Sequence, residues 1–184
     1  LNRNGEMIAL KDKLDNLVKD KFPEWSTLSN DELKEKFKIG LEQDPNNADL
    51  RELKKAYKEY NNYVFKLAGK NGFYSFANTV KAYQLLLTLN RQFNNGVRLD
   101  IENPDNLGPF VSYSEGLTGI VAILETAKNQ AAAAGSDFQF GLSSGFTGYD
   151  TPSTFTQFIN ALMARVQLYA GNNSGAISAL EGSF

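Results

Sequence analysis

At 184 residues the chain suffices for one domain of ordinary size or for part of a larger protein. A net charge of -2 disfavours a nucleic-acid surface, and a sequence without cysteine or histidine excludes disulfides, thiolate catalysis, zinc-thiolate sites and the Ser-His-Asp triad. A hydrophobic share of 42% predicts a folded chain, and no run approaches the about 18 apolar residues of a membrane span.

The charges are unevenly spread. Residues 1–70 carry 14 Lys/Arg and 13 Asp/Glu, whereas residues 71–184 carry 5 and 8. This predicts a charged N-terminal helical section, 1–70, followed by an apolar section, 71–184, as one packed unit or as part of a larger domain. The chain starts at Leu1 without a basic-then-apolar export segment, as a processed chain or an excised fragment would.

The first helix is expected from Glu6 to Lys21, with Met7, Leu10, Leu14, Leu17 and Val18 at helical spacing and Pro23 as its stop. Ser29-Asn-Asp-Glu32 is a capping box that opens a second helix, with Leu33, Phe37 and Leu41 as its stripe. A third starts near Asn47. Its apolar positions Leu50, Leu53, Tyr57, Tyr60, Val64 and Leu67 alternate steps of three and four, and Gly69 is its expected C-terminal cap. This seam either packs on the first two helices or docks another protein.

A fourth helix, Phe73 to Phe93, is apolar on more than one face and is expected to be central and covered on several sides. Asn95-Gly96 ends it with turn chemistry, and "VRLDIENPDNLGPF" follows as an extended connector in which Val97 to Ile101 permit a short strand. Ser112 to Glu115 form another capping box for a fifth helix, about Tyr113 to Ala134. The segment "GSDFQFGLSSGFTGYD" is too irregular for a helix and too aromatic for a disordered linker. Thr151-Pro152 starts a sixth helix that runs to Tyr169 or Ala170 and is capped by Gly171. A last helix occupies about Ser174 to Glu181.

In that final hairpin Ala161, Ala164, Ala176 and Ala179 fall where two antiparallel helices cross, and Leu162, Val166, Leu168, Tyr169 and Leu180 are expected to seal the seam. The spacing follows the tetratricopeptide style of helix–turn–helix, whose hairpins bury their apolar faces by stacking. The predicted fold is therefore all-α, with tetratricopeptide-like helical hairpins and irregular aromatic loops.

The stretch "ALMARVQLYAGNNSGAISAL" resembles the SusD/RagB family, outer-membrane lipoproteins of Bacteroidetes built on tetratricopeptide-like helix pairs. "SFANTVKAYQLLLTLNRQF" resembles the family's long aromatic helix, and "PFVSYSEGLTGIVAILETAKNQA" the helix after its connector; the blocks occur in the family's order across residues 73–184. The resemblance implies a cell-surface glycan-binding protein, held at the outer membrane by a lipid anchor, that delivers an oligosaccharide to a TonB-dependent, SusC-like transporter. Family members are longer and start at a lipidated cysteine, so the resemblance also implies an N-terminal fragment. The alternative is a helical scaffold for protein–protein interaction with no glycan ligand.

The loop from Phe138 to Tyr149 is the candidate ligand site. Phe138, Phe140, Phe146 and Tyr149 offer flat rings for sugar faces, with Asp150, Asp137 and Ser143 as hydrogen-bonding neighbours; the same rings can instead fold inward between helices. Asp100, Glu102 and Asp105 supply hard oxygens but lack the spacing of a calcium loop, and nothing pairs them for glycoside hydrolysis. The expectation is thus a non-enzyme with no catalytic residues, no metal and no cofactor.

Overall fold

The computed structural model describes residues 3–92 and 95–184. Its regular elements, in order, are α1 (Arg3–Lys21), α2 (Asn30–Gln43), α3 (Ala48–Arg91), β1 (Val97–Arg98), β2 (Phe110–Val111), α4 (Tyr113–Ala132), α5 (Pro152–Tyr169) and α6 (Asn173–Glu181), with single 3-10 turns at Pro23–Trp25 and Ser144–Phe146. The fold is all-α. Among the described residues, no helix is long and apolar enough to cross a membrane. The chain divides into two compact units, Leu1–Leu67 and Ala68–Phe184.

The first unit is a three-helix arrangement whose signals are local. Ser29 accepts from the Glu32 amide while the Glu32 carboxylate accepts from the Ser29 amide, so α2 begins where the capping box places it. The link 44–47 reverses the chain, and Phe37 of α2 meets Tyr57 of α3 edge-on at 5.1 Å. Leu14, Val18, Leu33, Phe37, Leu50, Leu53 and Ala56 form the core, and Phe22 stacks on Trp25 at 4.5 Å beside it. Charges stay outside: Lys13 binds Glu59 at 2.7 Å and Lys11 binds Asp15.

The third and fourth predicted helices are one. α3 runs unbroken through Gly69, and the expected cap there is wrong. Gly69 and Gly72 serve close approach instead. A Cβ on Gly69 would stand 2.1 Å from the Gln139 side chain, and one on Gly72 3.0 Å from the Phe138 ring. The loop after α4 therefore lies against the α3 backbone, and the glycines make room for it. The expected end at Phe93 lies outside the described residues. Ala82, Leu85, Leu86 and Leu89 of this helix are buried, but Val80, Tyr83 and Leu87 are exposed, so this part of α3 is not covered on several sides as its composition suggested.

In the second unit α3 is tied to α4 by side chains. Ser75 donates to the Ala127 carbonyl at 2.7 Å, Asn78 to Gln130 at 2.9 Å, and Asn71 to the Ala133 carbonyl at 3.2 Å. Leu117, Ile120, Leu124, Ala127 and Ala131 of α4 join Phe155, Ile159, Leu162, Met163 and Val166 of α5 in the core. The connector pairs Val97 with Val111 and Arg98 with Phe110 in two antiparallel steps; the strand stops at Arg98 rather than reaching Ile101. Gly96 makes that turn at φ 69, and a Cβ there would stand 1.8 Å from the Val111 carbonyl oxygen. In the loop Asp100 accepts from the Glu102 amide at 3.5 Å, Asn103 accepts from the Asp105 amide at 3.0 Å, and Glu102 faces Lys81 at 3.5 Å. Among the described residues no three metal-ligating side chains cluster.

The α5–α6 hairpin forms, with small boundary shifts. Asn172 caps α6 one residue earlier than expected, accepting from the Gly175 amide at 3.0 Å. Ala164 and Ala176 are buried, and Asn160 donates to the Gly182 carbonyl at 2.7 Å. The seam itself needs a correction. Leu162 and Val166 are buried in the core shared with α4, and Leu168, Tyr169 and Leu180 are exposed, at 58%, 44% and 55%. Small residues bring the helices together, so the large ones of the last turn of α5 and of α6 are left on the outer face.

Candidate functional site

The aromatic loop follows α4 and returns to α5. It leaves Ala134 through Gly135 at φ 83, makes a 3-10 turn at Ser144–Phe146 and reaches the Thr151 cap of α5 through Gly148 at φ 85. Thr151 and Thr154 form the capping box that fixes where α5 begins. The loop is therefore anchored at both ends by well-defined helix termini.

Its rings turn mostly inward. Phe138 packs on Phe155 at 5.5 Å and on Phe140 at 5.1 Å; Phe146 packs on Phe76 at 5.8 Å and on Phe158 at 5.5 Å. Phe155 is fully buried at the centre. These separations and mostly edge-on or tilted arrangements are those preferred by ring quadrupoles. Phe138 and Phe146, both half-buried, pack against the core and seal the space over α3 and α5, while Phe140, also half-buried, lies at the edge of that seal.

Two aromatic surfaces remain. Phe140, half-buried, meets Phe73 at 6.3 Å, and Phe73 meets Tyr74 at 6.1 Å; Phe73 is 58% exposed. Lys70 stands 5.5 Å over the Tyr74 ring. Separately, half-buried Tyr149 meets Phe184 at 5.5 Å, next to exposed Asp150. Asp137 accepts from Ser136 at 2.8 Å, and Ser143 precedes the 3-10 turn. Of the expected site, then, Phe138 and Phe146 are support, Phe140 lies at the edge, and Tyr149 and Asp150 are at the surface.

Comparison with protein-family models, with curated proteins and with solved structures finds no match to this chain.

Phe73 and Tyr74 were not singled out from sequence. The false helix break at Gly69 placed them at the first turn of a new helix, where flanking aromatics draw little notice. In an unbroken helix they sit in mid-length, with Phe76 facing inward, and a neighbouring exposed pair becomes visible. A second feature was also hidden. Ala161, Arg165, Leu168, Tyr169, Ile177 and Leu180 line an open groove of about 780 Å3 along the α5–α6 hairpin.

Proposed function

We propose that this protein binds glycan at the cell surface without catalysing a reaction, in the manner of the SusD/RagB proteins that its helical blocks resemble. On this reading it is held at the outer membrane by a lipid anchor and hands an oligosaccharide to a TonB-dependent, SusC-like transporter. The observation that carries the proposal is the outward face formed by Phe140, Phe73 and Tyr74. Phe138 and Phe76 back Phe140, so the face is pre-organised and little rotamer freedom is lost when a sugar ring stacks on it. Tyr149 and Asp150 offer a second ring with an acceptor beside it, and Phe138 and Phe146 hold the loop that presents both.

A native gel containing one polysaccharide at a time tests this. We expect one polysaccharide to retard the protein, with retardation lost in Phe73→Ala or Tyr149→Ala and retained in Ile177→Ala. A folded protein that no polysaccharide retards overturns the glycan reading.

A second reading, a tetratricopeptide-like scaffold for protein partners with no glycan ligand, is favoured by different residues. Phe73, Val80, Tyr83 and Leu87 recur at helical spacing on one exposed face of α3, and the α5–α6 groove leaves Leu168, Ile177 and Leu180 open. Helical-repeat proteins bury such faces against neighbours.

A further inference from the structure

The first unit contains a groove that the glycan reading does not use. Its walls are α2 and α3, and among the described residues α1 contributes nothing to its lining. The floor is apolar: Phe37, Leu41 and Tyr57 bound a space of about 570 Å3. Burial pushes the Tyr57 phenol up, with the Asp31 carboxylate adding to the rise, which agrees with a floor poorly served by water.

The rims are cationic. Lys34 and Lys38 stand on α2, and Lys54 and Lys58 on α3. Each pair is separated by four residues, so its members share a helix face about 6 Å apart along the axis. Like charges in that relation repel. Lys38 pairs with Glu35 at 3.9 Å, while Lys34, Lys54 and Lys58 form no ion pair among the described residues. Glu42 at one end and Asp31 toward the other leave the cations in excess. Lysine stems can extend the apolar walls while their ammonium groups line both edges.

An occupant must therefore bring an apolar ridge flanked by carboxylates on both sides. A small anion satisfies the rims but wastes the floor. A bilayer surface is too broad to enter a concavity between two helices. A third helix fits both, because side-chain ridges pack into the groove between neighbouring helices and Glu at four-residue spacing matches the lysine spacing.

We propose that the α2–α3 groove docks an acidic amphipathic helix of a partner protein. This goes beyond the glycan reading and does not depend on it.

The probe is a fluorescein-labelled amphipathic peptide of about 18 residues, long enough to be helical, with a Leu stripe flanked by Glu. Twins carry Gln or Lys in place of Glu. Fluorescence anisotropy should show the Glu peptide binding about tenfold more tightly than the Gln twin, about 1.4 kcal/mol, and the Lys twin not at all. Added salt should weaken the Glu peptide most. Lys34→Glu with Lys58→Glu should abolish binding, and Lys34→Gln with Lys58→Gln should weaken it. Folding of each variant is checked by circular dichroism and by the fluorescence of Trp25. Equal binding of all three peptides, undiminished binding by the folded double variants, or no binding at all would overturn the proposal. So would capture by phosphatidylglycerol vesicles without binding of the Glu peptide, which assigns the groove to lipid.

Discussion

The two units hold helices together with different residues. In Leu1–Leu67 the core is an aliphatic seam, Leu14, Val18, Leu33, Leu50 and Leu53, joined by Phe37, with ion pairs confined to the surface. In Ala68–Phe184 a cluster of phenylalanines from α3, α5 and the loop between α4 and α5 shares the core with leucines, and buried Ser75, Thr79 and Asn160 each have a hydrogen-bond partner. The first core is assembled by helix periodicity. The second is partly assembled by a loop folding back onto helices, so its contacts join residues far apart in sequence. A core of the second kind gives a loop a fixed shape, which is what a binding surface requires.

The sharpest way to break this contrast is to remove one residue from each core. Phe155→Ala should lower stability by about 4 kcal/mol, because it empties the centre of the aromatic cluster and leaves Phe138 and Phe146 without their shared neighbour. Leu53→Ala should lower it by about 3 kcal/mol. Urea denaturation followed by circular dichroism measures both, and Trp25, the only tryptophan, reports the Leu53 variant directly. If Phe155→Ala costs less than about 1 kcal/mol, the aromatic cluster collapses easily and the loop is not a fixed platform.

What the sequence made legible follows the same division. The capping boxes at Ser29 and Ser112 and the cap at Thr151 lie where they were read, because all their parts fall within four residues. The apolar stripe of α2, Leu33, Phe37 and Leu41, follows from periodicity. Gly69 misled because glycine serves both as a helix cap and as a gap for a neighbour, and the neighbour, Gln139, is 70 positions away. Leu168, Tyr169 and Leu180 misled for a related reason. Their spacing places them on a helix face but does not say which partner that face meets. The candidate loop was legible as aromatic and irregular. The division of its rings between support and surface was not, because it depends on Phe76, Phe155 and Phe158 from two helices.

The connector tests a smaller effect within the second unit. Gly96→Ala places a side chain in left-handed backbone and drives it into the Val111 carbonyl, whose position is fixed by pairing with Val97. A loss of about 2 kcal/mol is expected, read as a lowered urea midpoint. Hydrogen exchange should quicken in the β1–β2 pair before the aromatic cluster is affected. Unchanged exchange there would mean that the turn shifts at little expense and that the connector is not set by Gly96.

The smallest effects come from a device that both units share. Ser29→Ala and Ser112→Ala each remove a side-chain acceptor from a helix start and should each cost about 1 kcal/mol, whatever the core beyond the cap. The paired carboxylates add a pH dependence of known sign. Hydrogen bonds from the Ser29 backbone amide and hydroxyl hold the Glu32 carboxyl below its ordinary range, and the Ser112 hydroxyl and amide do the same for Glu115. A carboxyl lowered in the folded state contributes stability above its unfolded pKa, about 4.3, and that contribution is lost as pH falls through the lowered folded value. Stability measured from pH 6 down to pH 3 should therefore fall less steeply in Glu32→Gln and in Glu115→Gln than in the native chain. The two variants should flatten the profile alike, because both carboxylates are exposed and meet the same partners at nearly the same distances. A flattening confined to one of them would show that the cap takes its strength from the unit behind it, and the contrast between the two units would then reach down to their helix ends.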